Sequence, residues 1–332
     1  MRFQMDHLQA LICVLDEGTF DAAAERLRIT PSAVSQRIKA MEQVAGRVLV
    51  QRVSPVQCTP AGDIVLRYAR QMQLLEADAV RALDVEAGPS GRQPMALAVN
   101  ADSLATWFLE ALATVTAPVS FTLRREDQQH TTSLLRSGTV MAAVTSDPHP
   151  VQGCRSQRLG VMRYLAVCSP GFRDRWLADR GDAAAAGEAG VREAVAGQTL
   201  AGEALTGEAS RGEALTREAL GTALGHAPVV NFDGRDTLQG DFFHALTGRA
   251  LQAPQHVVPT SADFARAIVL GLGWGLLPEK QCLAEIEAGL LVHLAPQHPV
   301  DVPLYWQRWT LQSELLDEVT DAVHLTAARM LR

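Results

Sequence analysis

No two cysteines in this sequence stand at C-x-x-C spacing, and the five present (Cys13, Cys58, Cys154, Cys168, Cys282) are odd in number and scattered. That pattern argues against a disulfide framework and a structural zinc site, and it fits a reducing cytoplasm. Long apolar runs are also missing. The most apolar stretch, residues 267–278, is too short to span a bilayer and is rich in glycine. The opening MRFQMDHLQA carries Asp6 and His7 where a signal peptide needs an apolar core. Neither secretion nor membrane insertion is expected. Positive charge is not in excess either: the formal balance is −7, which excludes a chain coated in cations but not a local nucleic-acid site. The nine histidines lack metal-ligand spacing; His293 and His298 are five apart, and no H-E-x-x-H occurs. GPSG at 88–91 is not a nucleophile elbow, and GLGWG at 271–275 lacks the spacing of a phosphate loop. His7 and His324 read as surface residues on helices. No catalytic residue, metal or cofactor is expected.

What is present suits an ordinary globular protein: 332 residues, 47% hydrophobic and 20% charged, enough for about two domains. The first 60 residues read as short helices. Leu8, Leu11, Ile12 and Leu15 share one helical face, and Gly18 ends that helix. Thr19 caps an alanine-rich second helix. Thr30-Pro31 starts a third helix, with Val34, Ile38 and Met41 inward and Ser32, Ser35, Gln36, Arg37 and Lys39 outward. VLVQRVSPVQC (48–58) reads as two short strands around Ser54-Pro55. Thr59-Pro60 opens a long helix with Ala61, Val65, Tyr68, Met72, Leu75, Ala79 and Ala82 in alternating steps of four and three. This is either one buried face of an ordinary helix or a dimerising seam. The second reading is preferred because the flanks (Arg67, Arg70, Glu76, Asp78, Arg81) are too polar for burial on all sides. AGPSGRQP (87–94) is a linker by composition.

From residue 95 the pattern changes. MALAVN (95–100), VSFTL (119–123), TVMAAVT (139–145), YLAVCS (164–169), VVNF (229–232) and HVV (256–258) are strand candidates with helical stretches between several of them. That alternation predicts an α/β domain with a largely parallel sheet. Residues 181–225 are dominated by Ala, Gly and Glu and read as a low-complexity surface insertion. A final helix is expected within 313–332.

A short helix, a tight break and a second helix with exposed Ser, Gln, Arg and Lys form the helix-turn-helix pattern, whose second helix enters the major groove. Residues 1–60 hold seven basic and six acidic side chains, and the bases after Arg26 gather around the groove helix and the wing. Ser32, Ser35, Gln36, Arg37, Lys39 and Arg52 are the candidate DNA contacts. The alternative is a solvated charged helix in a small bundle.

FDAAAERLRITPSAVSQRIKAME (20–42) resembles the DNA-binding signature of LysR-type transcriptional regulators, and the layout of the whole chain resembles theirs too. AVNADSLATW (98–107), ITPSAVSQRIK (29–39) and APVVNFD (227–233) resemble the ArgP/LysG group of that family, whose members sense lysine and arginine and activate genes for basic amino-acid export. The resemblance implies an N-terminal all-α winged helix-turn-helix (1–60), a dimerisation helix and linker (61–92), an α/β effector domain (93–309) and a C-terminal helix (310–332). The effector domain is expected as two lobes like those of periplasmic binding proteins: lobe I as 93–165 with 276–309, lobe II as 166–275 with the insertion. It implies promoter DNA, RNA polymerase and a second copy of the chain, as a dimer or dimer of dimers, as partners. The ligand is expected near strand ends and helix N-termini in the crevice between the lobes. Asn100 and Ser103 follow the first strand, and Thr145 and Ser146 end another. Glu126, Asp127 and Asp233 supply carboxylates for an α-ammonium and a cationic side chain. Glu126 and Asp127 could equally neutralise Arg124 and Arg125, and Trp274 could wall the pocket or belong to the core. The rival readings are a regulator with a different small effector, a ligand-independent DNA-binding protein, and an enzyme on an α/β scaffold.

Overall fold

The computed structural model describes residues 2–83, 92–125, 128–177 and 217–332, with backbone only at 128–130. The chain begins with three helices, α1 (Met5–Glu17), α2 (Phe20–Leu27) and α3 (Pro31–Ala45). Their ends follow local rules. Gly18 takes φ +75° after α1, the Thr19 hydroxyl accepts from the Ala22 N–H, and the Thr30 hydroxyl accepts from the Ala33 N–H. Leu8, Leu11, Val34, Ile38 and Met41 make one core. A two-stranded wing follows, β1 (Val50–Gln51) against β2 (Gln57–Cys58), held to α3 where the Leu49 N–H donates to Glu42 at 2.9 Å. Thr59 then caps α4 (Pro60–Ala82).

After the linker come β3 (Gln93–Val99), α5 (Ala101–Ser103), a π turn (Leu104–Phe108), α6 (Leu109–Ala113), β4 (Val119–Arg125), α7 (Gln128–Ser137), β5 (Ala142–Thr145) and β6 (Cys154–Cys168). Next are α8 (Pro170–Trp176), α9 (Arg217–Leu224), β7 (Val229–Asn231), α10 (Leu238–Thr247), β8 (Gln255–Val257), α11 (Ser261–Val269), β9 (Gly275–Pro278), α12 (Glu279–Glu287) and β10 (Val292–His293). The chain closes with β11 (Val300–Trp309) and α13 (Glu314–Met330).

These elements form two compact units, Met1–Arg163 with Asp301–Arg332, and Tyr164–Val300. In the first, β3 runs parallel to β4 and to β5, while β11 is antiparallel to β5, so the sheet is mixed and not simply parallel. α13 packs on α6 and the π turn, and the buried Trp306 indole donates to Thr320 at 3.1 Å. In the second, β7 and β8 are parallel, and β9 and β10 pair antiparallel with the end of β6.

Three expectations need correction. Residues 276–300, assigned from sequence to lobe I, belong to the second unit. Pro278 pairs with Tyr164, and Cys282 packs with Leu165, Phe264 and Ile268. The tail of the supposed insertion is also part of the fold. Leu220 and Leu224 of α9 are buried, and Arg217 donates to the carbonyls of Ala245 and Leu246 at 2.8 Å. The rest of that segment lies outside the described residues. The third correction concerns α4. Val65 and Arg70 point inward with Leu66, Ala69 and Leu74, and Ala61 and Met72 are half-buried. The large exposed apolar side chains are Ile64, Tyr68, Leu75, Val80 and, at the C-cap, Leu83. Tyr68 and Leu75 belong to the seam read in sequence, and Ala79 and Ala82 on it are exposed as well, so an unpartnered apolar line remains along that seam with only Val65 fully drawn inward.

If two copies pair through that line, Leu75→Arg converts the dimer to monomer in light scattering. Leu75 is already 39% exposed, so the stability of a single chain changes by no more than about 0.5 kcal/mol. A variant that stays dimeric removes Leu75 from the interface.

Candidate functional site

The first six candidate residues lie on α3 and the wing. Ser32, Gln36 and Lys39 are exposed, four and three residues apart, and so share one face of α3. Ser35 and Arg37 are half-buried beside it. Thr30 and Ser32 hydroxyls are 2.9 Å apart at the helix start. Arg52 on the wing donates to the Ser35 hydroxyl at 3.1 Å, with its guanidinium 4.9 Å from the Phe20 ring centroid. Wing, groove helix and α2 are thereby held together at one exposed edge. Arg37 reaches Asp6 at 3.4 Å, a long, partly solvated pair that a phosphate can replace. The arrangement places hydroxyl, amide and cationic groups on one surface, the mixture that reads base edges and grips phosphates.

The second set falls into two places. In the first unit, Ala98 stands opposite Ala143 in parallel register, which carries Asn100 and Thr145 to the same end of the sheet. β4 finishes at that end as well, with Arg125 opposite Val99. Asn100 caps the following helix, accepting from the Ser103 N–H at 2.8 Å. Thr145 accepts from the Asp147 N–H at 3.1 Å, and Ser146 is half-buried. Ser103 is fully buried, and its hydroxyl has no hydrogen-bond partner among the described residues. Such a group forfeits its hydration unless something else satisfies it. The helix then widens into the π turn, a distortion frequent at functional sites. Trp107, inside that turn, is buried with its indole N–H likewise unpaired. Sequence reasoning passed over both Trp107 and the turn, and no periodicity signals either.

Asp233 lies in the second unit, after β7. Its carboxylate accepts from the Arg235 N–H at 2.7 Å, a local turn. Glu126 and Asp127 lie outside the described residues. Trp274 is wholly buried, bridging to Val229 and lying 6.0 Å from the Phe242 ring, so it is core and not an exposed pocket wall. Among the described residues no group of His, Cys, Asp or Glu is placed to hold a metal ion, and no helix is long and apolar enough to cross a membrane.

A groove helix braced by a wing, ahead of a long helix and an α/β region, defines a DNA-binding transcriptional regulator. The signature described as "Bacterial regulatory helix-turn-helix protein, lysR family" matches residues 5–63. The chain belongs to the LysR family, and its near relatives carry the names LysG and ArgP. It is 41% identical over 327 residues to the lysine export transcriptional regulatory protein LysG of Corynebacterium efficiens, covering 97% of each chain. Among solved structures it resembles ArgP from Mycobacterium tuberculosis, with a TM-score of 0.77, 38% identity and 98% of both chains covered. It also resembles full-length LysG from Corynebacterium glutamicum with bound effector Arg, with a TM-score of 0.67, 36% identity and 99% of both chains covered.

If Arg37 contacts phosphate, Arg37→Ala weakens binding evenly across sequences and lowers the salt slope by about one. Gln36→Ala changes sequence preference instead. Asp6→Asn, which frees Arg37 of its competitor, tightens binding. Footprints and salt titrations that are the same for all three variants and wild type would remove these residues from the interface.

Proposed function

We propose that this protein is a transcriptional regulator that binds promoter DNA through Ser32, Ser35, Gln36, Arg37, Lys39 and Arg52 and responds to lysine or arginine. It would act as a dimer or a dimer of dimers with RNA polymerase, at a gene for basic amino-acid export, and without catalysing a reaction. Support for the DNA half comes from family membership and from the exposed polar face of α3. For the effector half, one observation carries the reading: the Ser103 hydroxyl is buried and unpaired where parallel strands end and a helix begins. Backbone N–H groups and a hydroxyl at such a place suit a carboxylate. Thr145 and Ser146 stand at the same end of the sheet, and Asn100 holds the first helical turn in place. Asp233, together with Glu126 and Asp127, would meet the positive charges of the ligand. That a relative was solved with arginine bound supports a basic amino acid over a neutral one.

Ser103→Ala separates function from stability. Removing an unsatisfied buried hydroxyl should leave the ligand-free protein as stable as wild type, or stabilise it by up to about 1 kcal/mol. Losing its hydrogen bond to a charged ligand should weaken binding about tenfold, equivalent to ~1.4 kcal/mol. Thermal unfolding and titration calorimetry with lysine and arginine measure the two effects. Wild type that binds a neutral amino acid well and neither basic one would refute the effector while leaving the regulator reading intact.

A further inference from the structure

Arg70 is a cation in a place that burial should forbid. It is 7% exposed, in the middle of α4. One arm of its guanidinium donates to the Thr139 carbonyl at 2.7 Å, and the other donates to the Asp16 carboxylate at 2.6 Å. Its Nε is buried and unpaired among the described residues. An apolar side chain would fill this position with less desolvation, so the cation is tolerated only while both partners hold their places. Those partners come from opposite ends of the regulatory apparatus. Asp16 is near the end of α1, within the winged domain. Thr139 sits in the turn between α7 and β5, and β5 ends at Thr145.

The helix is seated closely at the same place. Gly138 and Gly153 have φ of +78° and +75°, and both abut Arg67. A Cβ on Gly138 would lie 2.5 Å from the Arg67 Cα, and one on Gly153 would lie 2.1 Å from its Nη2. Arg67 also donates to the Gln152 carbonyl at 2.9 Å. The turn before β5 therefore presses on the α4 backbone itself, and the turn before β6 presses on the Arg67 guanidinium.

We propose that Arg70 is a positioning residue that couples effector binding to DNA binding. Through Asp16 and Thr139 it sets the register of the winged domain against the strand whose far end carries Thr145 and Ser146, so a displacement of β5 moves α1 and the groove helix packed on it. The inference rests on the functional reading above. It requires linkage: if the effector alters DNA binding through this bridge, DNA alters effector affinity by the same factor.

The test is calorimetry of arginine and lysine with the full-length protein, free and bound to a duplex recovered by binding-site selection. Wild type should show an affinity ratio between the two states of about fivefold or more. In Arg70→Met, and in Asp16→Asn, which keeps shape and the Thr139 contact, the ratio should fall to within about twofold of unity. The DNA-free effector affinity should stay at the wild-type value, a result that general destabilisation would not give. Should Arg70→Met not fold, Asp16→Asn carries the test, since the Asp16 side chain is 29% exposed. A ratio unchanged in the folded variants, or a ratio of one in wild type, overturns the coupling. Wild type that binds DNA but no basic amino acid overturns the functional reading, and this inference with it.

Discussion

Close approach of α4 to its surroundings is the constraint on which the first unit depends. Three glycines permit it. A Cβ on Gly62, within the helix, would meet the Leu49 carbonyl oxygen at 1.9 Å, and Gly138 and Gly153 leave the same kind of room on the other side. A larger residue at Gly62 or Gly138 must move backbone, and one at Gly153 must displace the Arg67 guanidinium. Given that seating, one face of the helix is spent on its own chain: Val65, Leu66 and Ala69 join the core of α1 and α3, and α7 packs against the helix as well. What remains outward is the line through Tyr68, Leu75, Ala79 and Ala82. An apolar line of that length on a monomer marks an interaction surface. The internal packing thus decides which face of α4 is left for a second copy.

Buried polar groups divide into those that hold the fold and those that do not. Arg308 is 2% exposed and donates to Thr320 and Asp317, tying β11 to α13. Outside the buried set, the half-exposed Glu318 likewise accepts from the Thr116 and Ala117 N–H groups and fixes the turn before β4. Ser103 has no such task. The cysteines complete the contrast. Burial pushes the thiols of Cys58, Cys168 and Cys282 up to about 12, so near neutrality they stay protonated and weakly nucleophilic. Their presence is a matter of packing, in agreement with the missing pair spacing.

What could be read from the sequence was local. Thr19, Thr30 and Thr59 each cap the helix they precede, because a cap is decided by a few adjacent residues. The wing and the groove helix are legible for the same reason. Periodicity says which residues share a face but not what covers it, and so it shows Arg70 only as a polar flank. The path of the chain between units was also illegible. It crosses within β6 and again at the start of β11, and only the pairing of Pro278 with Tyr164 shows that 276–300 stays with the second unit. α9 did leave a signal. Leu220 and Leu224 are one helical step apart, but the alanine, glycine and glutamate before them hid it.

Charge shows the same difference between a total and a position. The winged domain has a balance of only +1 in a chain of −7, so no bulk field draws it to DNA. What its cations can do depends on where they stand. Arg52 is held over Phe20 and against Ser35, at the edge where α3 is exposed. Arg37 rests on Asp6, a partner too distant and too solvated to keep it from a phosphate. Holding cations in place before binding lowers the ordering cost that flexible side chains would otherwise incur. An acidic chain can therefore bind a polyanion, with the negative remainder disfavouring contacts made anywhere else on its surface.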